Sequence, residues 1–464
     1  MNINKIHSIY FIGIGGIGMS ALARFFLHLQ KAVYGYDRTE TSLTQKLSDE
    51  GAKIHYKDDL RNIPEIIKQN KEESLIIYTP AVPENNIELR FFKENNFTLY
   101  KRAEVLGFIT QNIKTIAIAG THGKTSVSSI TAHILKASQT GCYAFLGGIL
   151  KDEESNLVLP KQESSNAFAV VEADEYDRSF LSLHPQIALI TSIDADHLDI
   201  YKNKENLVKS FGQFVNNVVQ NGILIYKKGL NLQVRSDIQQ FTYELAGDAD
   251  FRAENIRMNS NGTYKFDFVA PNTVLKDMET GIPGKINLEN ALASLAICYV
   301  SETSKELMYK QLSNFKGVKR RFDYRIINSD FVYIDDYAHH PRELKAFISS
   351  VKEIYPDKQI TGIFQPHLFS RTQDFANEFA ESLDLLDELY LLDIYPAREL
   401  PIKGVSSKLI FDKLKKVKKT QCSKEKVLDL LKNKRPEILL TMGAGDIADL
   451  VTPIEKYFKP NSSL

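Results

Sequence analysis

Residues 117–129 read AIAGTHGKTSVSS, and the architecture of the chain can be inferred outward from them. An apolar run, TIAIA, leads into this stretch, and a helix-like run, SVSSITAHILKA, follows its glycines. That order of strand, loop and helix is typical of a phosphate-binding loop. Gly120 and Gly123 permit a close turn, Lys124 supplies positive charge, and Thr125 supplies a hydroxyl for Mg²⁺. The stretch therefore predicts a nucleotide site.

One position departs from the usual spacing of such a loop, because Ile118 stands where the pattern has a glycine. We interpret the departure as a turn that begins later, at Gly120, and that keeps the lysine and the hydroxyl in place. The alternative is an ordinary glycine turn before a helix, in which GKT occurs by chance. The strand-like and helix-like runs on either side favour the phosphate loop.

Size and composition exclude several classes of protein. The 464 residues fit about three domains, and the 58 Lys and Arg residues balance the 58 Asp and Glu residues. No net field therefore attracts nucleic acid or an anionic membrane. Three scattered cysteines suggest neither a disulfide framework nor a zinc cluster, and no apolar run approaches the roughly 18 residues of a membrane span. Glycines interrupt the N-terminal apolar run, so we expect a cytoplasmic α/β protein without a signal peptide.

Apolar runs alternate with amphipathic stretches along the chain, which predicts βα units and mostly parallel sheets. We place three domains at 1–108, 109–318 and 319–464, with a polar, β-like excursion at about 245–285. In the last domain four strand-like runs each end in polar or glycine-rich residues: FVYIDDYAHHP, ITGIFQPHLFSRT, LYLLDIYPARE and ILLTMGAGDI. Ligands of open parallel sheets collect beyond the carboxyl ends of the strands, so these ends are candidate sites.

A second glycine motif, GIGGIG at 13–18, follows the strand-like SIYFI and opens a helix. Asp37 lies about 20 residues further on, which completes a dinucleotide fingerprint and would indicate an NAD-dependent oxidoreductase. Chemically, however, the motif only holds a diphosphate, and a UDP-linked substrate carries one too. With ATP on the later loop, we favour a UDP-type ligand here. Glycines kept only for helix–strand packing are the alternative.

Two further strand-like runs end in acidic loops, AFAVVEADEYD at 167–177 and IALITSIDADHLDIY at 187–201. Glu172 follows the first run and His197 lies beyond the second, so both could converge with Thr125 on one or two Mg²⁺ ions between phosphate oxygens. The alternative is a set of solvated loop charges, which would comprise Asp174, Glu175, Asp177, Asp194, Asp196 and Asp199.

The motifs follow one another as GIGGIGMSALA, GTHGKTS, EADEYDRSFL, DADHLDIY, GVKRRFDYR, DDYAHHPRE, FQPHLFSRT, YPARELPIKGVSS and GAGDI. In this order they closely resemble the Mur ligases of peptidoglycan synthesis, and the likeness covers nearly the whole chain. The resemblance implies a Rossmann-like domain for a UDP-sugar, a central P-loop ATPase-type α/β domain, and a C-terminal Rossmann-like α/β domain. The last of these would complete the ATP and amino-acid sites.

The resemblance also implies a role for each matching residue. The UDP diphosphate would be contacted by Gly15, Gly16, Ile17 and Gly18. The ATP phosphates would be held by Gly120, Thr121, His122, Gly123, Lys124, Thr125 and Ser126. Asn290 would contact adenine, Arg321 would contact ATP at the domain junction, and Asp336 would contact the ATP ribose. One Mg²⁺ would be bound by Thr125 and Glu172 and a second by His197, while the catalytic cleft would be faced by His339, His340, His367 and Arg371.

The implied reaction joins L-alanine to the carboxylate of UDP-N-acetylmuramate through an acyl phosphate, with ADP and phosphate as products. Lys124, the loop amides and Mg²⁺ would stabilise the charge on the transferred phosphoryl group. The attacking amine must lose a proton, and either His197 or a C-terminal histidine could accept it. A ligase that adds a whole tripeptide, an NAD-linked dehydrogenase and a non-catalytic ATP-binding regulator are the alternatives. The choice between monomer and dimer stays open.

Three positions depart from the family pattern. Leu368 stands where many alanine-adding ligases carry a second arginine. Arg371 would therefore make more of the contacts with the carboxylate of the amino acid. Ile286 stands where relatives often have histidine, so the loop on the adenine side is expected to differ. Gly212 falls where other Mur ligases carry a carbamylated lysine, in agreement with the alanine-adding branch, which lacks it.

Overall fold

A computed structural model describes residues 3–162, 164–194, 198–397 and 399–459 of the chain. The chain divides into two units. The first comprises residues 1–254, 267–276 and 290–314, and the second comprises residues 255–266, 277–289 and 315–464. Each unit is an α/β structure with largely parallel sheets, as the alternation of apolar and amphipathic stretches predicts.

The first sheet of the first unit is parallel throughout, with the order β3-β2-β1-β4-β5. Its strands are β1 Ser8–Ile12, β2 Ala32–Tyr36, β3 Lys53–His55, β4 Ser74–Tyr78 and β5 Leu99–Lys101. Its helices are α1 Ile17–His28, α2 Ser42–Asp49, α3 Glu65–Gln69, α4 Ile87–Glu94 and α5 Arg102–Thr110. The order changes direction at β1, and the GIGGIG loop follows this strand, which is where parallel sheets bind ligands.

The second sheet has ten strands in the order β15-β14-β13-β12-β11-β10-β6-β9-β7-β8. They are β6 Thr115–Ala119, β7 Cys142–Leu150, β8 Ser155–Val158, β9 Phe168–Glu172, β10 Ile187–Ile190, β11 Ile223–Lys227, β12 Gln239–Glu244, β13 Phe251–Met258, β14 Tyr264–Ala270 and β15 Thr273–Glu279. The helices are α6 Lys124–Lys136, α7 Leu198–Tyr201, α8 Lys204–Asn216, α9 Lys285–Val300 and α10 Lys305–Asn314. Strands β13–β15 form the β-like excursion, and they and α9 contribute residues to both units.

Strand β6 lies between β9 and β10, and both neighbours run parallel to it. All five of its residues are buried, as expected for a central strand covered on both faces. The phosphate loop and the two acidic loops follow these three strands. Their parallel arrangement therefore brings the three loops to one edge of the sheet.

The sheet of the second unit has the order β16-β17-β21-β18-β19-β20 and is parallel except for β16. Its strands are β16 Asp323–Ile327, β17 Val332–Asp336, β18 Ile360–Phe364, β19 Glu388–Leu391, β20 Lys418–Gln421 and β21 Ile438–Met442. Its helices are α11 Pro341–Ile354, α12 Phe369–Asp374, α13 Ala376–Leu383, α14 Lys408–Phe411, α15 Val427–Asn433 and α16 Ala448–Phe458. The four strand-like runs of the sequence are β17, β18, β19 and β21.

Helix α1 packs on strands β7 and β8, so one hydrophobic core spans residues on both sides of position 108. Phe25 of α1 contacts Phe145 of β7, with ring centroids 5.4 Å apart. On the same helix, Arg24 donates to Glu50 and to Asn156.

No helix among the described residues has the length and apolarity needed to traverse a bilayer.

The three cysteines are free thiols. Burial raises the pKa of Cys142 to about 12, and it also raises the pKa of Cys298. Cys422 is half-buried, and burial together with the charge of Asp393 raises its pKa to about 11. All three thiols are therefore protonated at neutral pH.

A buried polar network lies on the face of the first sheet that is opposite to helix α1. The hydroxyl of Tyr10 lies 2.7 Å from Oε2 of Glu88 and 2.8 Å from Nε2 of His55. Nδ1 of His55 faces the carbonyl of Lys57, so that nitrogen carries the hydrogen and Nε2 accepts. The Tyr10 hydroxyl has one hydrogen and can donate to only one of these two acceptors. A protonated Glu88 can donate to the Tyr10 oxygen while Tyr10 donates to His55, so that both contacts become hydrogen bonds. Burial raises the pKa of Glu88 to about 7 accordingly.

We predict that this network makes the unfolding free energy depend on pH. The folded chain holds a proton on Glu88 that the unfolded chain has released between about pH 4.5 and 7, so stability falls as pH rises through that window. The loss should be on the order of 3 kcal/mol and should be absent in Glu88→Gln. Urea unfolding at pH 5 and pH 8 measures it.

Comparing the wild type with Glu88→Gln separates the titration of Glu88 from that of other groups. Burial lowers the pKa of His55, whose stabilising effect is lost as pH falls below its unfolded value near 6.5, and this titration is common to both proteins. An equal change in unfolding free energy for the wild type and Glu88→Gln would contradict the prediction.

Candidate active site

The phosphate loop between β6 and α6 has two glycines with left-handed backbones. Gly120 has φ +128° and Gly123 has φ +82°. A Cβ on Gly120 would lie 2.0 Å from Oγ1 of Thr191, so no other residue fits there. Thr191 and Ser192, which follow β10, brace the loop: the hydroxyls of Ser192 and Thr121 lie 2.8 Å apart. The strand, turn and helix predicted from the sequence are all present.

Lys124 is the first residue of α6, and its ammonium group points back into the loop. It donates to the carbonyl of Gly120 at 2.6 Å and to both carboxylate oxygens of Glu175 at 2.9 and 2.7 Å. The side chain of Glu175 is fully buried, whereas that of Lys124 is 11% exposed. Burial alone would lower the pKa of Lys124, but the carboxylates of Glu175, Asp174 and Glu172 outweigh it and raise the pKa. The lysine is therefore held charged at the position that a phosphate would share.

Thr125 and Glu172, predicted as metal ligands, lie side by side. The hydroxyl of Thr125 donates to Oε2 of Glu172 at 2.9 Å, and the same oxygen accepts from the backbone of Gly147 at 3.0 Å. Two hard oxygen ligands next to a phosphate loop fit Mg²⁺, which usually takes one or two protein ligands and completes its shell with phosphate and water. The third predicted ligand, His197, lies outside the described residues.

No group of three or more His, Cys, Asp and Glu side chains forms a cation site in the part of the chain that the structure describes.

Three further residues predicted to bind ATP, namely His122, Ser126 and Asn290, lie at the same loop. Nε2 of His122 lies 3.4 Å from Oδ2 of Asp194. Ser126 is buried in the first turn of α6. Asn290 on α9 is buried with its Oδ1 only 2.8 Å from where a Cβ of Gly123 would be. The structure thus brings Asn290 to the phosphate loop, whereas its predicted contact is with adenine.

The GIGGIG loop leads from β1 into α1, and Gly16 is the N-cap of this helix. No side chain caps the helix, so amide groups of its first turn are available to an anion. The amide of Gly15 donates to Oδ2 of Asp37 at 2.7 Å. Asp37 therefore holds the loop, which is a different use from the ribose contact of a dinucleotide fold. Ile17 and Gly18 begin the helix, and a Cβ on Gly18 would lie 2.7 Å from Nη1 of Arg102.

In the second unit, three of the predicted cleft residues form a cluster beyond β17 and β18. The rings of His339 and His367 have centroids 5.8 Å apart, and Nη1 of Arg371 lies 3.3 Å from Nδ1 of His367. The ring of Tyr395 stacks on His367 at 5.9 Å. His340 has another position: it is the N-cap of α11, where its Nδ1 accepts from a backbone amide, and it is buried.

Arg321 and Asp336 lie near each other in the second unit. The guanidinium of Arg321 lies 5.0 Å from the ring centre of Tyr337. Both carboxylate oxygens of Asp336 accept from backbone amides, those of Phe322 and Ala338, each at 2.7 Å. Burial raises the pKa of Asp336 to about 6, although Arg321 and these two amides oppose the rise. Asp336 therefore fixes the GVKRRF segment to β17, in addition to its predicted contact with ribose.

Of the three positions that depart from the family pattern, Leu368 alone has an unusual backbone conformation. Leu368 is buried and has φ +70°, a conformation that costs on the order of 1–3 kcal/mol in a non-glycine residue. Ile286 lies half-buried in the first turn of α9. Gly212 lies on α8 with open space around it.

Two residues that the sequence did not single out join these sites. Glu175 was predicted only as a solvated loop charge, but it is buried against Lys124. Arg102, the first residue of α5, reaches Gly18 at the start of α1. The adjacency of Glu175 to the motif of Glu172 is the one signal that sequence offered for the first. No spacing rule links Arg102 to the glycine loop.

Family models match most of the chain. Residues 8–114 match the catalytic domain model of the Mur ligase family, residues 118–298 match the Mur ligase middle domain, and residues 320–445 match the glutamate ligase domain of Mur ligases. The three matches follow the three-domain architecture that the motifs imply.

Several similar proteins are named as UDP-N-acetylmuramate–L-alanine ligases. This chain is 50% identical to a UDP-N-acetylmuramate–L-alanine ligase of Parabacteroides distasonis over 458 residues, which is 98% of either chain. It is 47% identical to the enzyme of that name from Phocaeicola vulgatus, again over 98% of either chain. It resembles the crystal structure of a UDP-N-acetylmuramate–alanine ligase from Thermotoga maritima with a TM-score of 0.81 and 26% identity, over 97% of this chain and 99% of the other. A murein peptide ligase of Psychrobacter arcticus shares the fold, with a TM-score of 0.71 and 18% identity over 98% and 100% of the chains.

Proposed function

The chain belongs to the Mur ligase family, and on that basis we propose that it joins L-alanine to the carboxylate of UDP-N-acetylmuramate at the expense of ATP, in peptidoglycan synthesis. One observation carries the proposal. The first unit holds two glycine loops. The later loop has a largely buried lysine and a threonine–carboxylate pair, and the earlier loop has an uncapped helix start. A ligase of two phosphorylated substrates needs both.

At the later loop, the chain's own groups stabilise the transferred phosphoryl group. Lys124 is charged and directed at the loop, so it can lie against the outer phosphates as negative charge develops. The residues from Gly120 to Ser126 would hold the phosphates that stay behind, with the amides of Thr121 and His122 bracing the loop against Ser192. Thr125 and Glu172 would hold Mg²⁺, which supplies charge neutralisation between phosphate oxygens when bound.

At the earlier loop, Gly15, Gly16, Ile17 and Gly18 would bind the diphosphate of the UDP-sugar through backbone amides at the start of α1. In the second unit, Arg371 would bind the carboxylate of alanine, because its guanidinium is buried beside His367 and suits a bidentate contact. His197, or else His367 or His339 of the second unit, would accept the proton of the alanine amine, since His340 caps a helix.

The proposal includes domain limits at 108 and 318, a need for Mg²⁺ and a cytoplasmic location. It is compatible with either a monomer or a dimer. The limit at 318 falls between the matched models that end at 298 and begin at 320, whereas the limit at 108 lies before the end of the first matched model at 114.

Release of phosphate tests the function. With ATP, Mg²⁺ and UDP-N-acetylmuramate, we expect release to depend on L-alanine and to be far slower with the tripeptide L-alanyl-γ-D-glutamyl-diaminopimelate. Preference for the tripeptide would instead favour the recycling ligase, whose fold the chain shares. Reduction of NAD would indicate the dehydrogenase, and ATP binding without release would indicate a regulator.

A substitution at Gly16 should separate the two substrate sites. A Cβ there would meet no atom closer than 3.6 Å, so Gly16→Val leaves the fold intact but puts a side chain where the diphosphate approaches the backbone. We expect UDP affinity to fall by about 10–100-fold while ADP affinity stays the same. Calorimetric titration with each nucleotide measures this. An equal loss of both affinities would argue against separate sites.

A further inference from the structure

One short segment contacts the phosphate loop directly and the GIGGIG loop through the side chain of Arg102. We name residues 172–178, EADEYDR, the acidic turn. On the side of the phosphate loop, Glu172 accepts from Thr125 and Glu175 holds Lys124 with both oxygens. Both of these contacts occupy groups that ATP would use.

On its other side, the acidic turn contacts the end of β5 and the start of α5. Asp177 accepts from Nζ of Lys101 at 2.7 Å, and Oδ2 of Asp174 lies 3.9 Å from Nη2 of Arg102. The second pair is long, so it restrains the arginine only weakly.

Arg102 is placed to serve a phosphate. Its guanidinium lies against Gly18, where any side chain would collide with it, and this glycine belongs to the first turn of α1. A guanidinium matches two phosphate oxygens better than one distant carboxylate oxygen, because its hydrogens form a planar fork. A diphosphate on the GIGGIG loop would therefore draw Arg102 away from Asp174.

The acidic turn is also strained. Asp177 and Arg178 are consecutive non-glycine residues with φ +52° and +55°. Such conformations persist only where surrounding contacts enforce them. Here those contacts include the ion pair of Asp177 with Lys101 and, more weakly, that of Asp174 with Arg102, so loss of the weaker pair favours partial relaxation of the turn.

We infer that Arg102 is a further diphosphate-binding residue, and that its release from the acidic turn frees Lys124 for ATP. The inference rests on the proposed function, because it takes the UDP-sugar to bind at the GIGGIG loop. Occupancy of one glycine loop then favours occupancy of the other. Thermodynamic linkage requires this effect to be equal in both directions.

Titration calorimetry of the full chain tests the inference with UDP and ADP as probes. ADP affinity should rise about two- to fivefold when UDP is saturating, as expected for loss of one weak ion pair, and UDP affinity should rise by the same factor when ADP is saturating. If both nucleotides bind but neither changes the affinity of the other, the inference is wrong. If UDP does not bind, the proposed function itself fails.

Two variants identify the residues responsible. Asp174→Asn keeps the size of the side chain but releases Arg102, so UDP alone should bind more tightly and the coupling factor should fall towards one. Arg102→Met should lower UDP affinity about tenfold or more while ADP affinity does not fall, since charge-assisted bonds to phosphate are lost. Coupling in Asp174→Asn equal to that of the wild type would overturn the inference, as would unchanged UDP affinity in Arg102→Met.

The matched control is Glu153→Gln, which removes a surface ion pair to Lys136 in the same unit. Both affinities and the coupling factor should stay at their wild-type values. Thermal melting of each variant checks that the fold is retained, so that a changed affinity is assigned to the removed contact.

Discussion

Replacing Lys124 by methionine should lower phosphate release about a thousandfold, because a charge that meets the outer phosphates in the transition state is lost. Methionine keeps much of the length and volume of the side chain, so the glycine turn itself should persist. Steady-state phosphate release at saturating substrates measures the effect. Turnover near the wild-type rate would mean that the loop does not hold ATP.

The same change should also lower the free energy of unfolding, by about 3–5 kcal/mol, since it leaves the buried carboxylate of Glu175 without its lysine. The loss should increase with pH, because a protonated Glu175 needs no counter-charge. Adding Glu175→Gln to Lys124→Met should restore much of the stability but none of the activity. Urea unfolding gives the first quantity, and the double variant separates a folding defect from a catalytic one. Recovered turnover in the double variant would contradict the assigned role of Lys124.

Glu172→Gln is expected to have the second largest effect, a fall in phosphate release of about 100-fold or more. The glutamine carbonyl can still accept from Thr125 and Gly147, so the local structure should be kept while the negative charge next to the metal is lost. The Mg²⁺ concentration for half-maximal rate should rise. Titrating Mg²⁺ at fixed ATP measures the shift.

Glu153→Gln serves as the control here too, because it removes a carboxylate of the same unit at the surface. Its rate and Mg²⁺ dependence should match those of the wild type. A Glu172→Gln protein with unchanged Mg²⁺ dependence would assign the metal to other ligands.

Elements whose signal is local could be predicted from the sequence. The run TIAIA before Gly120 is buried on both faces and the helix begins at Lys124, so the phosphate loop has the predicted form. Glu172 and Thr125 meet because their strand and loop adjoin in a parallel sheet, which the alternation of strands and helices also predicts.

Contacts that depend on packing between distant segments could not be predicted. Glu175 has the same chemistry as its exposed acidic neighbours, and only the path of the backbone after β9 buries it against Lys124. His340 reads as a catalytic group in DDYAHHP, yet the proline that follows it begins a helix and makes it the cap. The strain at Leu368 has no counterpart in the sequence, because leucine rarely adopts its backbone conformation.

The raised pKa values of the three thiols have a consequence for the chemical vulnerability of the chain. Only the thiolate reacts readily with electrophiles, and Cys142 and Cys298 are both buried and protonated. Alkylating reagents and peroxide should therefore modify Cys422 first and slowly. An irreversible inhibitor of this protein would need a warhead for lysine or histidine in place of one for cysteine.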